Sequence, residues 1–102
     1  MEEKIYEISN EIKEVKDVLP TQIINGYYVR TVFCEIVGEV SIRVLFVYKN
    51  EDSSDIIQYN VDVVNLYGTL LCSDCFEPED FDKDCYELAE KVFKYIKTAQ
   101  RK

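Results

Sequence analysis

The stretch from Tyr27 to Lys49, YYVRTVFCEIVGEVSIRVLFVYK, decides how this chain folds. β-Branched and aromatic residues recur in it at a period of two on either side of Gly38-Glu39, the signature of two strands joined by a tight hairpin. A two-residue turn with glycine first pairs Val37 with Val40, and that pairing sorts the side chains onto two faces because a strand alternates. One face carries Val29, Thr31, Phe33, Val40, Ile42, Val44 and Phe46 and reads as core, with Glu35 its single misfit. The other carries Tyr28, Arg30, Val32, Cys34, Ile36, Arg43, Leu45, Val47 and Lys49.

Outward from this hairpin the pattern continues. After a polar loop at Asn50 to Asp55, a third strand is expected from Ile56 to Val64, adding Ile57, Tyr59, Val61 and Val63 to the core face. Upstream, the Asn25-Gly26 turn signal joins a short strand at Gln22 to Ile24. Before it, Ile5, Ile8, Ile12, Val15 and Leu19 recur at steps of three and four, which predicts an amphipathic helix from about Glu3 to Val18, stopped by Pro20. Near the other end Phe81, Cys85, Leu88, Val92, Ile96 and Ala99 form the stripe of a second helix, from about Glu79 to Thr98, with Pro78 in its first turn.

The expected fold class is α+β, ordered α-β-β-β-α: an N-terminal helix, a three- to four-stranded antiparallel meander and a C-terminal helix. The sheet forms a single layer with both helices on its apolar face. A chain of 102 residues has room for one hydrophobic core, so residues 1–102 are expected to form one small acidic domain.

Charge narrows the partners. Twenty acidic residues against 12 basic ones give a net charge of −8, so duplex DNA and anionic lipid are repelled and a basic protein is the expected partner. The longest apolar run, Val44 to Tyr48, falls far short of the roughly 20 residues that cross a bilayer. Met1-Glu2-Glu3-Lys4 lacks the basic and apolar segments of a secretory leader, and the expected location is cytoplasmic.

Catalytic chemistry has little to stand on. The chain has no histidine, which removes the commonest general base and the commonest nitrogen ligand for a metal. It has neither a glycine-rich phosphate loop nor a glycine-flanked nucleophilic serine. No catalytic residue is assigned, no cofactor is expected, and the protein is read as a binder rather than an enzyme. Cys72 and Cys75 form a C-x-x-C and are the metal candidates; with Cys34 and Cys85 they make four cysteines. Without histidine a tetrahedral zinc site would need all four to converge, and only one of the two expected C-x-x-C pairs is present. Cys34 lies mid-strand and Cys85 in the helical stripe, so both read as small buried hydrophobes. Thioredoxin-like redox chemistry would require a further parallel strand after the helix. Asp80, Asp82 and Asp84 resemble the opening of a calcium loop, but the sixth position is Cys85 rather than glycine and the twelfth is Lys91 rather than glutamate.

The outstanding feature is an acidic run: Asp74, Glu77, Glu79, Asp80, Asp82, Asp84, Glu87 and Glu90, relieved only by Lys83. Part of it complements the helix dipole, with Lys91, Lys94, Lys97, Arg101 and Lys102 toward the opposite end. The functional expectation is a non-enzymatic inhibitor or adaptor whose carboxylates imitate nucleic-acid phosphates and block a basic protein, such as a nuclease, restriction or similar defence machinery, or a toxin. A second reading is a small dimeric, chaperone-like or structural interaction protein. It would use the sheet face carrying Tyr28, Arg30, Val32, Ile36, Arg43, Leu45 and Val47, whose aliphatic side chains need a cover such as a homodimer partner. A third is a structural zinc module through Cys72 and Cys75.

Overall fold

Five strands follow one another in a single antiparallel sheet whose spatial order, β1-β2-β3-β4-β5, is also the chain order. The computed structural model describes residues 2–15 and 18–100. Its elements are α1 (Glu2–Lys13), β1 (Gln22–Ile24), β2 (Tyr27–Val37), β3 (Val40–Tyr48), β4 (Ile56–Asn65), β5 (Leu70–Phe76) and α2 (Phe81–Gln100). The α-β-β-β-α layout agrees with expectation, and the sheet has five strands rather than three or four. The additional strand is β5, whose mixture of cysteine, serine, aspartate and leucine carries no clear alternation.

Both turns signalled by sequence form. Asn25 and Gly26 take φ of 52° and 84°, the double left-handed corner of a hairpin turn that asparagine and glycine tolerate best. Gly38 alone is left-handed in the β2–β3 turn, and Val37 pairs with Val40 as the spacing requires. Helix α1 is shorter than predicted. It ends at Lys13 and is followed by a turn at Glu14 and Val15; Lys16 and Asp17 lie outside the described residues, as do Arg101 and Lys102, and Leu19 is exposed rather than on the buried stripe. Helix α2 begins at Phe81, so Pro78 precedes it instead of entering its first turn.

Both helices pack on one face of the sheet. Ile8 and Ile12 of α1 meet Cys85, Leu88, Ala89, Val92 and Ile96 of α2 over Ile42, Val44, Phe46, Tyr59, Val61 and Val63. The Phe46 ring sits at the centre, 5.3 Å from Tyr59 and 6.0 Å from Phe81, both edge-on. Such edge-to-face pairs add to the effect of area burial. Glu35, the misfit of the core face, is answered by Lys4 of α1 at 3.1 Å.

Two irregularities rearrange the predicted faces. The β2–β3 register shifts between Thr31 and Phe33, with Val32 as the extra residue. Upstream of this bulge every β2 side chain changes side. Val29 and Thr31, expected in the core, stand opposite Val47 and Leu45 on the face away from the helices. Tyr28 and Arg30, expected outside, stand opposite Tyr48 and Phe46, and Val32 joins the main core. A second shift opposite Val47 and Tyr48 places Ile56 against the core and leaves Ile57 exposed, reversing the expectation for Ile57.

Candidate functional site

The acidic run occupies the β5–α2 connection and the first half of α2, and its local structure follows from helix capping. Asp80 is the N-cap: its Oδ1 accepts the backbone N–H of Asp82 at 3.2 Å, and its carbonyl accepts the N–H of Asp84 at 2.7 Å. These bonds satisfy donors that a helix start otherwise leaves orphaned. Asp84 turns inward. It is 5 % exposed, and its Oδ2 accepts both the Tyr59 hydroxyl at 2.8 Å and the Glu79 backbone N–H at 2.9 Å. This carboxylate therefore ties the connection, the helix and the sheet together. Burial first, and then the bond to Asp84, raise the Tyr59 phenol above its ordinary pKa.

Asp74 is also engaged. It accepts the Tyr95 hydroxyl, and the Lys91 ammonium lies 3.4 Å away. The Tyr95 bond, with Lys91 assisting, holds its carboxyl below the ordinary aspartate value. The predicted group of eight carboxylates thus divides. Asp84 cannot meet a partner because it is buried and bonded on its inner side, and Asp74 is half-buried against α2. Glu77, Glu79, Asp80, Asp82, Glu87 and Glu90 remain exposed. Lys83 stands between Glu79 at 3.8 Å and Glu87 at 4.0 Å, in pairs so exposed that they contribute little to stability. The same geometry takes apart the resemblance to a calcium loop, since Asp80 caps, Asp82 points to solvent and Asp84 points into the core.

Two adjoining hollows, of 240 and 320 Å³, flank this helix start and share Tyr59, Glu79 and Asp84 in their walls. Their depth comes from the notch between the end of β5 and the first turn of α2. Phe76 and Leu88 line one and Phe81 the other, so each mixes apolar walls with the carboxylates of Glu79 and the buried Asp84.

The cysteines are spread. On β5 the pleat alternates, so Cys72 opposite Val63 faces the helices while Cys75 opposite Asn60 faces away, where the Gln58 amide approaches its sulfur at 3.5 Å. A C-x-x-C on a strand sends its two thiols to opposite sides, and in this geometry Cys72 and Cys75 do not form one pair of ligands. Cys34, expected to be buried, is exposed opposite Arg43. Cys85 is buried as expected, and burial pushes its thiol pKa up to about 12 from an ordinary 9.0. A thiol-specific reagent at neutral pH should therefore titrate three cysteines in the native protein and the fourth only on unfolding. Four fast thiols would show that Cys85 is open to solvent. Because the unfolded thiol ionises first, the contribution of Cys85 to stability is complete below pH 9 and declines as pH rises beyond it.

The second predicted surface, the outer face of the sheet, is less apolar than β2 and β3 alone suggested. Its apolar centre shrinks to Val29, Leu45 and Val47, each below a tenth exposed. Gln58, Asn60 and Asp62 of β4 stand opposite Val47, Leu45 and Arg43, and Ser73 of β5 donates to Asp62. Tyr28, Arg30 and Val32 leave this surface because of the bulge, whereas Ile36, 70 % exposed, Arg43, Leu45 and Val47 stay on it.

A group of exposed apolar side chains gathers where β4 turns into β5, as Ile23, Ile24 and Tyr27 do at the β1–β2 hairpin. Asn65 builds that turn: its side-chain oxygen accepts the N–H groups of Tyr67 and Thr69, both at 2.9 Å, and its backbone exchanges bonds with Thr69 and Gly68. On this fixed turn Leu66 is 67 % and Tyr67 91 % exposed, and Leu70 and Leu71 follow at 54 % each. This cluster follows the last strand expected from the sequence, and no period-two alternation marks it. Its only signal was the run Leu66-Tyr67-Gly68-Thr69-Leu70-Leu71, apolar around a glycine turn.

No helix among the described residues is long and apolar enough to cross a membrane. Compared with known proteins, this α+β chain matches no family model, no curated protein and no solved structure.

Proposed function

We propose that this protein is a non-enzymatic binder that sets an acidic ridge into the basic groove of a nucleic-acid-binding protein and so blocks it. One observation carries the reading. Glu77, Glu79, Asp80, Asp82, Glu87 and Glu90 are exposed on a connection and helix whose positions are locked from beneath by Asp84. Fixed carboxylates meet a cationic groove without the entropy loss of ordering a loop, and like-charged competitors are rejected.

The test is capture from a lysate of the source cell with elution along a salt gradient, using the wild-type protein and the triple variant Glu79→Lys, Asp82→Lys, Glu87→Lys. All three side chains are exposed, so the cost to the fold is confined to weak surface pairs with Lys83 and to the helix dipole; Asp80 and Asp84 are left alone because they cap and anchor the helix. The expected result is a nucleic-acid-binding protein that is retained at low salt, displaced by duplex DNA and bound at least ten-fold more weakly by the variant. Retention that ignores both salt and the three substitutions would overturn the reading.

A further inference from the structure

The sheet has two edges, and they differ in protection. β1 is only three residues long, which is itself a way of blunting an edge. β5 is seven residues long, LLCSDCF, and holds no lysine and no proline. Its one charged residue, Asp74, is drawn beneath the sheet by Tyr95 and Lys91. Five of its seven side chains are exposed, and neither helix lies along it. β5 is bulged at Leu71, which has no partner between the pairs Val63–Cys72 and Val64–Leu70, and it carries the inward-pointing Asp74, two features that blunt an edge. From Cys72 to Phe76 its register is regular and its outward N–H and C=O groups have no partner in the sheet, so this part is a template for another strand.

The surroundings of β5 are polar in sequence direction. At its start stand Leu66, Tyr67, Leu70 and Leu71 on the turn built by Asn65. At its end follow Glu77, Glu79 and Asp80, all exposed. A second copy of the chain fits poorly: antiparallel pairing would set the acidic end of each strand against the apolar end of the other, and parallel pairing would set acid against acid. A complementary strand is apolar at one end and cationic at the other.

We infer that the free edge of β5 accepts an extended segment of a basic protein as a sixth strand, with apolar residues over Leu70, Leu71 and Tyr67 and lysine or arginine beside Glu77 and Glu79. The inference rests on the acidic-ridge reading and specifies how a partner's chain would meet it. Main-chain bonds along β5 supply affinity, and the two ends supply specificity.

The test uses isotope-labelled protein and synthetic decapeptides with alternating valine and threonine in one half and alternating lysine and threonine in the other. Two further forms carry N-methyl groups on alternate residues, in the two possible phases, and a fourth has glutamate in place of lysine. The expected result is perturbation of the Leu70–Phe76 amides, at least ten-fold weaker binding by one N-methylated form only, and at least ten-fold weaker binding by the glutamate peptide. On the protein side, Leu71→Asp should weaken the lysine peptide at least ten-fold although it adds an attractive charge.

Equal binding by both N-methylated forms with salt-dependent affinity would overturn the edge inference and leave the acidic ridge standing. Binding at β5 by lysine and glutamate peptides alike would overturn the charge reading instead. Absence of binding by every peptide, or dilution-dependent shifts of the same amides that reveal self-pairing, would also overturn the inference.

Discussion

Replacing Phe46 by alanine is expected to destabilise the protein by about 3–5 kcal/mol, the range for truncating a buried aromatic side chain. Phe46 is fully buried near the end of β3, and its ring is the common neighbour of Tyr59 on β4 and Phe81 at the start of α2. The cavity cannot collapse easily, because sheet register holds one wall and the capped helix start holds the other. Small domains have only about 5–15 kcal/mol of stability in total, so this one change removes a large share of it. Urea denaturation should show a lowered midpoint with an unchanged slope, and Phe46→Leu should cost no more than about 1.5 kcal/mol. A loss under about 1 kcal/mol for Phe46→Ala would mean that the helices do not depend on this contact.

The second large effect concerns a residue that the sequence offered as a docking carboxylate. Asp84→Ala is expected to cost about 2–3 kcal/mol, because it strands the Tyr59 hydroxyl and the Glu79 N–H beside a buried wall. Asp82→Ala, two residues away and exposed, should stay within about 0.5 kcal/mol. Tyr59→Phe leaves the buried Asp84 carboxylate with the Glu79 N–H alone and should cost about 1.5–3 kcal/mol, and the double variant Tyr59→Phe, Asp84→Ala should lose less than the two single losses added. Additive losses in that cycle would show that the bond does not act as a unit. The pH dependence has a defined sign. The Tyr59 phenol is raised above its ordinary 10.0, so its contribution is complete below that pH and disappears as pH rises past it, the unfolded phenol ionising first. Tyr59→Phe should flatten that part of the alkaline loss. If partner binding resides on the acidic ridge, Asp84→Ala should weaken it through the displaced connection, whereas Asp82→Lys should weaken it with the fold intact.

The legibility of the chain varied with how strongly a residue's surroundings were set by its near neighbours. Val37 and Val40 could be paired from the turn alone, and the alternation from Val40 to Phe46 located the core face of β3 because every residue there obeys one period. The stripe Phe81, Cys85, Leu88, Val92, Ile96 located the buried face of α2 for the same reason. The faces of β2 above Val32 were reversed because one extra residue changes the parity of everything beyond it, and valine at a bulge looks like valine in a ladder. β5 was not recognised as a strand because an edge is wetted on both sides and loses the alternation that burial imposes.

The sequence by itself determined the class of fold, the order of helices and strands, the tight turns and the absence of histidine chemistry, since each depends on local periodicity or on composition. Only the tertiary structure decided which carboxylates are surface and which are structure. Asp80, Asp82 and Asp84 are the same residue type at even spacing, yet one caps, one faces solvent and one is buried beneath Tyr59, a residue 25 positions earlier on another strand. The same holds for Cys72 and Cys75, three apart in sequence and separated by the pleat, and for the open edge of β5, which exists because among the described residues no other strand arrives beside it. Burial and hydrogen bonding are set by what lies across the fold, and that information is distributed over the whole chain.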